Sequence, residues 1–205
     1  MTGFWVAGCF VAGIVMGFVG RFLLGRLSRG VVLRPPWCEL VAGGLSGLAG
    51  WRVAAGLLPV WWLPVPLLLG WLAVPLAAVD LARRRLPDAF TLPAYPLLGL
   101  AVGLAAVLGS GPGLGLRAVT GVLLFGGAHI LIYLCSPRAL GAGDVKLAGS
   151  LGAVLGAVGW SALVVGATIA AFITVGIAIT RRVRTVPHGP GLLLATWLVA
   201  AFGHC

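Results

Sequence analysis

Eight stretches of this chain are almost wholly apolar, and a backbone buried in apolar surroundings for that long has few folds open to it. They run roughly 4–24, 38–55, 60–80, 89–108, 117–135, 145–159, 160–180 and 190–203, and an α-helix needs roughly 20 apolar residues to cross a bilayer. No water is available in lipid to pair with a free N–H or C=O, but a helix satisfies its own backbone. The expected fold class is therefore all-α, a polytopic transmembrane helix bundle of about eight spans. Only 9% of the 205 residues are charged, against about 25% in a soluble globular protein. The polar remainder holds no soluble domain of ordinary size, so residues 1–205 read as one integral membrane domain. The sixth and eighth stretches are short. Two layouts stay open for 145–180: two spans, or one long broken helix that would move the C-terminus to the other face.

The formal net charge of +10 would suggest nucleic acid in a soluble chain. Here the basic residues flank the apolar stretches, as the positive-inside rule describes. With both termini outside, Arg21, Arg26, Arg29, Arg34, Arg83, Arg84, Arg85, Arg138, Arg181, Arg182, Arg184 and Lys146 fall on the cytoplasmic side. Only Arg52 and Arg117 fall on the other. No nucleic-acid partner is expected, and the basic clusters suit the anionic headgroups of membrane lipids. Trp51, Trp61 and Trp62 read as an aromatic belt at the outer interface. The N-terminus has no basic segment ahead of its apolar run, so Met1 to Phe22 reads as a retained first span rather than a cleaved signal peptide. Among the 33 glycines, Gly43/Gly47, Gly99/Gly103 and Gly152/Gly156 have the four-residue spacing of close helix contacts.

Several chemistries find no support. Cys9, Cys38, Cys135 and Cys205 are scattered with no Cys-x-x-Cys, so neither a zinc site nor a disulfide framework is indicated. No His-Glu-x-x-His occurs. His129 lies mid-span, His188 in a loop and His204 near the outer terminus, and they assemble no Ser-His-Asp set. His129 reads as an interior histidine bonded to a neighbouring helix. No metal or other cofactor is called for.

The chain has four acidic residues, Glu39, Asp80, Asp88 and Asp144. A carboxylate at the edge of the hydrocarbon is costly, which makes each a functional candidate. Asp144 stands in Gly141-Ala142-Gly143-Asp144-Val145-Lys146, between a flexible Gly-x-Gly and an apolar run. It is either a helix N-cap or a functional group. Asp80 closes the third apolar run, where a helix C-terminus disfavours negative charge. It is either paired with Arg83 and Arg84 one turn on or functional. Asp88 reads as a helix cap, and Glu39 as a cap or a polar contact to the other acids. Two spans separate Asp80 from Asp144, and an even number of crossings returns the chain to the same face. Both then lie at the cytoplasmic boundary. Two aspartates brought close together cannot both ionise easily, and such a pair can activate a water while protonating a departing group without a metal.

These residues carry a resemblance. Gly141 to Leu147 resembles the Gly-x-Gly-Asp motif of the type IV prepilin peptidases, membrane aspartic proteases also called leader peptidases. Asp80 to Asp88, continuing into Thr91-Leu92-Pro93, is similar to that family's other signature, an Asp followed after a short spacer by Leu-Pro-Asp and a Leu-Thr-like tail. Val186-Pro187-His188-Gly189-Pro190 resembles the Pro-Phe-Gly-Pro segment before the family's last span, with His188 where Phe is common. Glu39-Leu40 resembles the start of its second span, and Gly17 to Leu27 faintly its N-terminal motif.

The resemblance implies that Asp80 and Asp144 are catalytic, with Gly141, Gly143, Lys146 and Glu39 as motif or substrate-binding support. It implies an endopeptidase of the bacterial cytoplasmic membrane, active on the cytoplasmic side. The implied substrates are type IV prepilins or pseudopilins, cut after a Gly between a short basic leader and a hydrophobic helix. Many members carry two Cys-x-x-Cys pairs between the first two spans, a region linked to methylation of the new N-terminus. Gly25 to Trp37 has none, so methyl transfer is not expected. Two other readings stand beside this one: a small proton-coupled transporter, whose carboxylates would lie near the midplane, and a non-catalytic pilus or secretion assembly protein.

Overall fold

The structure, a computed structural model, describes residues 2–27, 31–83, 86–110, 112–137, 140–181 and 187–203. Among these residues there is no strand, and eight helices follow one another in the order of the eight apolar stretches. They are α1 (Thr2–Arg26), α2 (Trp37–Ala54), α3 (Pro64–Arg83), α4 (Asp88–Ala105), α5 (Pro112–Cys135), α6 (Ala142–Val158), α7 (Trp160–Arg181) and α8 (Gly189–Phe202). A 3-10 turn at Val60–Trp62 leads into α3. A π-type turn at Ala106–Ser110 extends α4, and another at Val122–Gly126 interrupts α5. The fold is an all-α polytopic membrane bundle. Five segments are long and apolar enough to cross a bilayer: Thr2–Arg26, Val60–Arg83, Asp88–Gly109, Pro112–Cys135 and Trp160–Arg181. The other three helices are shorter or carry charge, as α2 does with Glu39 and Arg52.

The segment left open, 145–180, is two helices. Gly159 joins them, and Gly166 of α7 packs on Leu155 of α6, with a methyl at 166 meeting Leu155 Cδ2 at 2.8 Å. In one straight helix those two residues would stand about 16 Å apart along the axis.

Packing explains which glycines matter. α6 has no polar face, and it is buried from Leu147 through Ala157. A helix apolar all round belongs inside a bundle. It meets α5 backbone to backbone: a methyl on Gly152 would lie 2.5 Å from Gly121 O and 2.8 Å from Phe125 Cβ, and Gly121 in turn abuts Gly152 O and Gly156 Cα. Gly43 and Gly47 receive Phe10 of α1. By contrast, nothing lies within 4 Å of a methyl built on Gly99 or Gly103, so the same four-residue spacing marks a contact in two places and an open surface in the third.

The tryptophans also divide. Trp51 is exposed, but Trp62 is fully buried and its Nε1–H donates to Ala200 O at 2.9 Å. Trp197 donates to Pro66 O at 3.0 Å. Trp62 thus fastens the start of α3 to α8, and is core rather than belt. Large apolar side chains remain exposed on the outer helices, among them Phe18, Leu100, Leu123 and Phe172. A bilayer solvates such a surface, whereas water would not.

Candidate active site

Asp80 lies in the last turn of α3 and is 4% exposed, and Asp144 lies in the first turn of α6 and is 7% exposed. The fold brings the two together, and Gly189, the first residue of α8, lies against both. A methyl carbon built on Gly189 would lie 2.7 Å from Asp80 Oδ2 and 3.1 Å from Asp144 Oδ1. The gap between those oxygens is therefore at most the sum of the two distances. Both oxygens are buried, and neither has a hydrogen-bond partner among the described residues. The backbone of Gly189 reaches the Asp80 carboxylate, and that of Gly141 the Asp144 carboxylate.

Asp144 is not the N-cap of α6. Gly141 holds that position, and the Asp144 and Val145 amides donate to Gly141 O at 3.0 and 3.3 Å. As the third helical residue, Asp144 turns Oδ2 back towards Gly141, 3.2 Å from where a methyl at 141 would sit. This is the reciprocal half of a capping box, and it leaves Oδ1 facing Gly189. A side chain at 141 would crowd that carboxylate. At Gly143 the constraint differs: a methyl there would meet Leu86 Cβ at 2.9 Å. Leu86 belongs to the loop that follows Asp80, so Gly143 lets the two signature segments touch.

The remaining candidates go elsewhere. Arg83 is exposed, and no ion pair to Asp80 occurs among the described residues; Arg84 lies outside them. Lys146 is not turned to the pair. Its Nζ donates to Asp88 Oδ1 at 2.8 Å on the exposed surface, and its carbonyl accepts from Tyr95 Oη at 2.6 Å. Asp88 is not a cap either, since Pro87 precedes α4 at that position. Glu39 is buried and accepts from Arg21 Nε at 2.7 Å, so its partner is on α1 and not among the other acids. His129 bonds within its own helix, Nδ1 to Phe125 O at 2.8 Å, rather than to a neighbour. Cys9 and Cys38 are free and buried, Cys135 is free and exposed, and Cys205 lies outside the described residues. Among the described residues no three His, Cys, Asp or Glu side chains form a metal-ligand set.

The sequence reading missed Gly189 as part of the site. The signal was there, a Pro-His-Gly-Pro break before the last apolar run, but nothing local ties residue 189 to residues 80 and 144.

The model of the type IV leader peptidase family matches residues 67–179, which include both aspartates. The chain belongs to the type IV leader peptidase family. A prepilin leader peptidase/N-methyltransferase of Aeromonas hydrophila is 33% identical over 185 residues, covering 83% of this chain and 59% of that protein. One of Klebsiella pneumoniae is 36% identical over 157 residues, covering 73% and 63%. The chain thus spans less than two thirds of the length of these leader peptidase relatives. No solved structure matches it.

Proposed function

We propose that this leader peptidase family member is an aspartic endopeptidase whose catalytic pair is Asp80 and Asp144. The observation that carries the reading is the pair of buried, unpartnered carboxylate oxygens facing each other at Gly189. Two carboxylates so placed share a proton more readily than both ionise. The ionised member takes a proton from a water as it attacks the scissile carbonyl. The protonated member gives its proton to the carbonyl oxygen; as the tetrahedral intermediate collapses, the first member passes the water's proton to the leaving nitrogen and the second takes its proton back.

The substrates are type IV prepilins or pseudopilins, cut on the cytoplasmic side after the Gly that ends a short basic leader. The relatives' names support this substrate class. Carboxylates at helix ends also suit a bond that lies just outside a substrate's membrane helix, and do not suit a carrier that needs its acids near the midplane. The chain sits in the bacterial cytoplasmic membrane with both termini outside, and it transfers no methyl group.

The test is cleavage of a prepilin-like peptide, with a basic leader, a Gly and an apolar segment, by the purified protein in detergent. Asp80→Asn and Asp144→Asn each keep the side-chain shape but cannot move the proton, and each should abolish cleavage. Asp88→Asn, on the exposed surface, should keep it. Full cleavage by either of the first two variants would refute the dyad.

A further inference from the structure

A methyl on Gly189 would reach both carboxylates, so the position of Gly189 bears on how closely the two can approach. His188 precedes it directly and is the N-cap of α8. His188 Nδ1 lies 2.9 Å from Thr174 Oγ1 on α7. The Thr174 hydroxyl has one hydrogen, and Ala170 O lies 2.8 Å away and one turn back, in place to accept it. With that bond made, Thr174 Oγ1 accepts and His188 Nδ1 carries the proton. The same stretch of α7 closes on the other side of Gly189. A methyl on Gly191 would lie 2.6 Å from Thr174 Oγ1 and 2.7 Å from Ala170 O. So α7 holds the first turn of α8 at residues 188 and 191, and Gly189 lies between.

A third helix closes the arrangement. His129 of α5 stacks on His188 with ring centroids 6.3 Å apart and planes 29° off parallel. Burial, and then the facing His129, hold the His188 imidazole below its usual value. It is therefore neutral at pH 7, with a single N–H committed to Thr174. No ion pair or hydrogen bond joins either histidine side chain to an aspartate among the described residues.

We infer that the His188–Thr174 hydrogen bond is a latch that sets the position of Gly189 and so the gap between Asp80 and Asp144. Both are positioning residues, acting on the carboxylates through the Gly189 backbone. The inference rests on the dyad reading above. Its size follows from the sensitivity of such sites: a misplacement of about 1 Å costs about 100-fold in rate.

The test compares initial cleavage rates of the prepilin-like peptide at several concentrations. Thr174→Val keeps the shape and removes the acceptor, and His188→Phe keeps a ring and removes the donor. Each should lower kcat by about 10- to 100-fold and leave KM near the parent value. Thr174→Ser, which keeps the hydroxyl, should restore most of the rate. The double variant should be no slower than the worse single variant, because both remove one bond. His188→Asn, which keeps a side-chain N–H, should be faster than His188→Phe, and this pair of variants stands alone if Thr174→Val fails to fold. Parent kcat in both Thr174→Val and His188→Phe, or fully additive losses in the double variant, would overturn the latch. So would a rate for His188→Asn no better than for His188→Phe. Asp80→Asn is run alongside: if it cleaves fully the dyad itself fails, whereas if it is inert and Thr174→Val cleaves at the parent rate only the latch fails.

Discussion

Gly189→Ala adds a single methyl to the chain and aims it at the proposed catalytic pair. That carbon would sit 2.7 Å from Asp80 Oδ2, 3.1 Å from Asp144 Oδ1 and 3.4 Å from Asp80 Cγ. Even a close C–H···O contact needs about 3.3 Å, so the Asp80 side is short by more than half an ångström and the Asp144 side by less. The backbone there is no obstacle, because among the described residues only Gly56 has a φ in the left-handed region. α8 has little room to back away, since Gly191 lies close against α7, where a methyl would meet Thr174 Oγ1 at 2.6 Å and Ala170 O at 2.7 Å. The carboxylates must give. Turning one off its rotamer costs about 0.5–1.5 kcal/mol, and a displacement approaching 1 Å lowers kcat by about 100-fold. The assay is peptide cleavage by purified protein in detergent, with Gly127→Ala as control. Gly127 is helical and has nothing within 4 Å of its added methyl, so that variant should cleave at the parent rate. Parent kcat for Gly189→Ala as well would show that the spacing at Gly189 does not control the reaction, and the reasoning would fail.

Gly152→Ala should lower the melting temperature, because its methyl meets the Gly121 carbonyl at 2.5 Å and overpacking of this kind costs about 1–3 kcal/mol. Gly103→Ala should leave melting unchanged, and equal melting of the two variants would contradict the packing account. Asp88→Asn removes only an exposed ion pair with Lys146, worth about 0–1 kcal/mol, and should leave both melting and cleavage near parent values. Reporter fusions after Arg34, Arg85 and Arg184 should report cytoplasm and fusions near Gly111 and Cys205 the exterior. A cytoplasmic C-terminus would overturn the orientation.

The helices were legible because hydropathy acts over whole turns: each of the eight apolar stretches became one helix, and the ends moved by a few residues. That Asp80 and Asp144 fall on one face was legible for a simpler reason, the parity of two crossings between them, whereas parity does not say that they meet. What the sequence could not specify is which surfaces touch. Trp62 and Trp51 look alike in a run of residues, yet one donates to Ala200 O in the core and the other is exposed. Gly99/Gly103 and Gly152/Gly156 share a spacing, and only the second pair meets another backbone. Lys146 sits two residues from Asp144, but a helix turns about 100° per residue, so it points to Asp88 instead. Gly189 stayed hidden because a glycine with no side chain has no chemistry to read. Its importance lies in what its absence of a side chain allows two distant residues to do.

The helices that carry the site are the ones least exposed to lipid. Asp80, Asp144 and Gly189 stand at the ends of α3, α6 and α8, whose apolar lengths are packed into one core with Leu76, Leu147, Leu151 and Leu192 fully or almost fully buried. α7, by contrast, is largely exposed and so in contact with lipid. A polar group at a helix end needs no unpaired charge in mid-span, where its cost is greatest, and a site on packed helices is held more precisely than one on loops. The exception is the start of α8, where Gly189 lies within reach of both acids. It is also where α7, through Thr174, can act on the spacing of the acids without contributing a group to the chemistry.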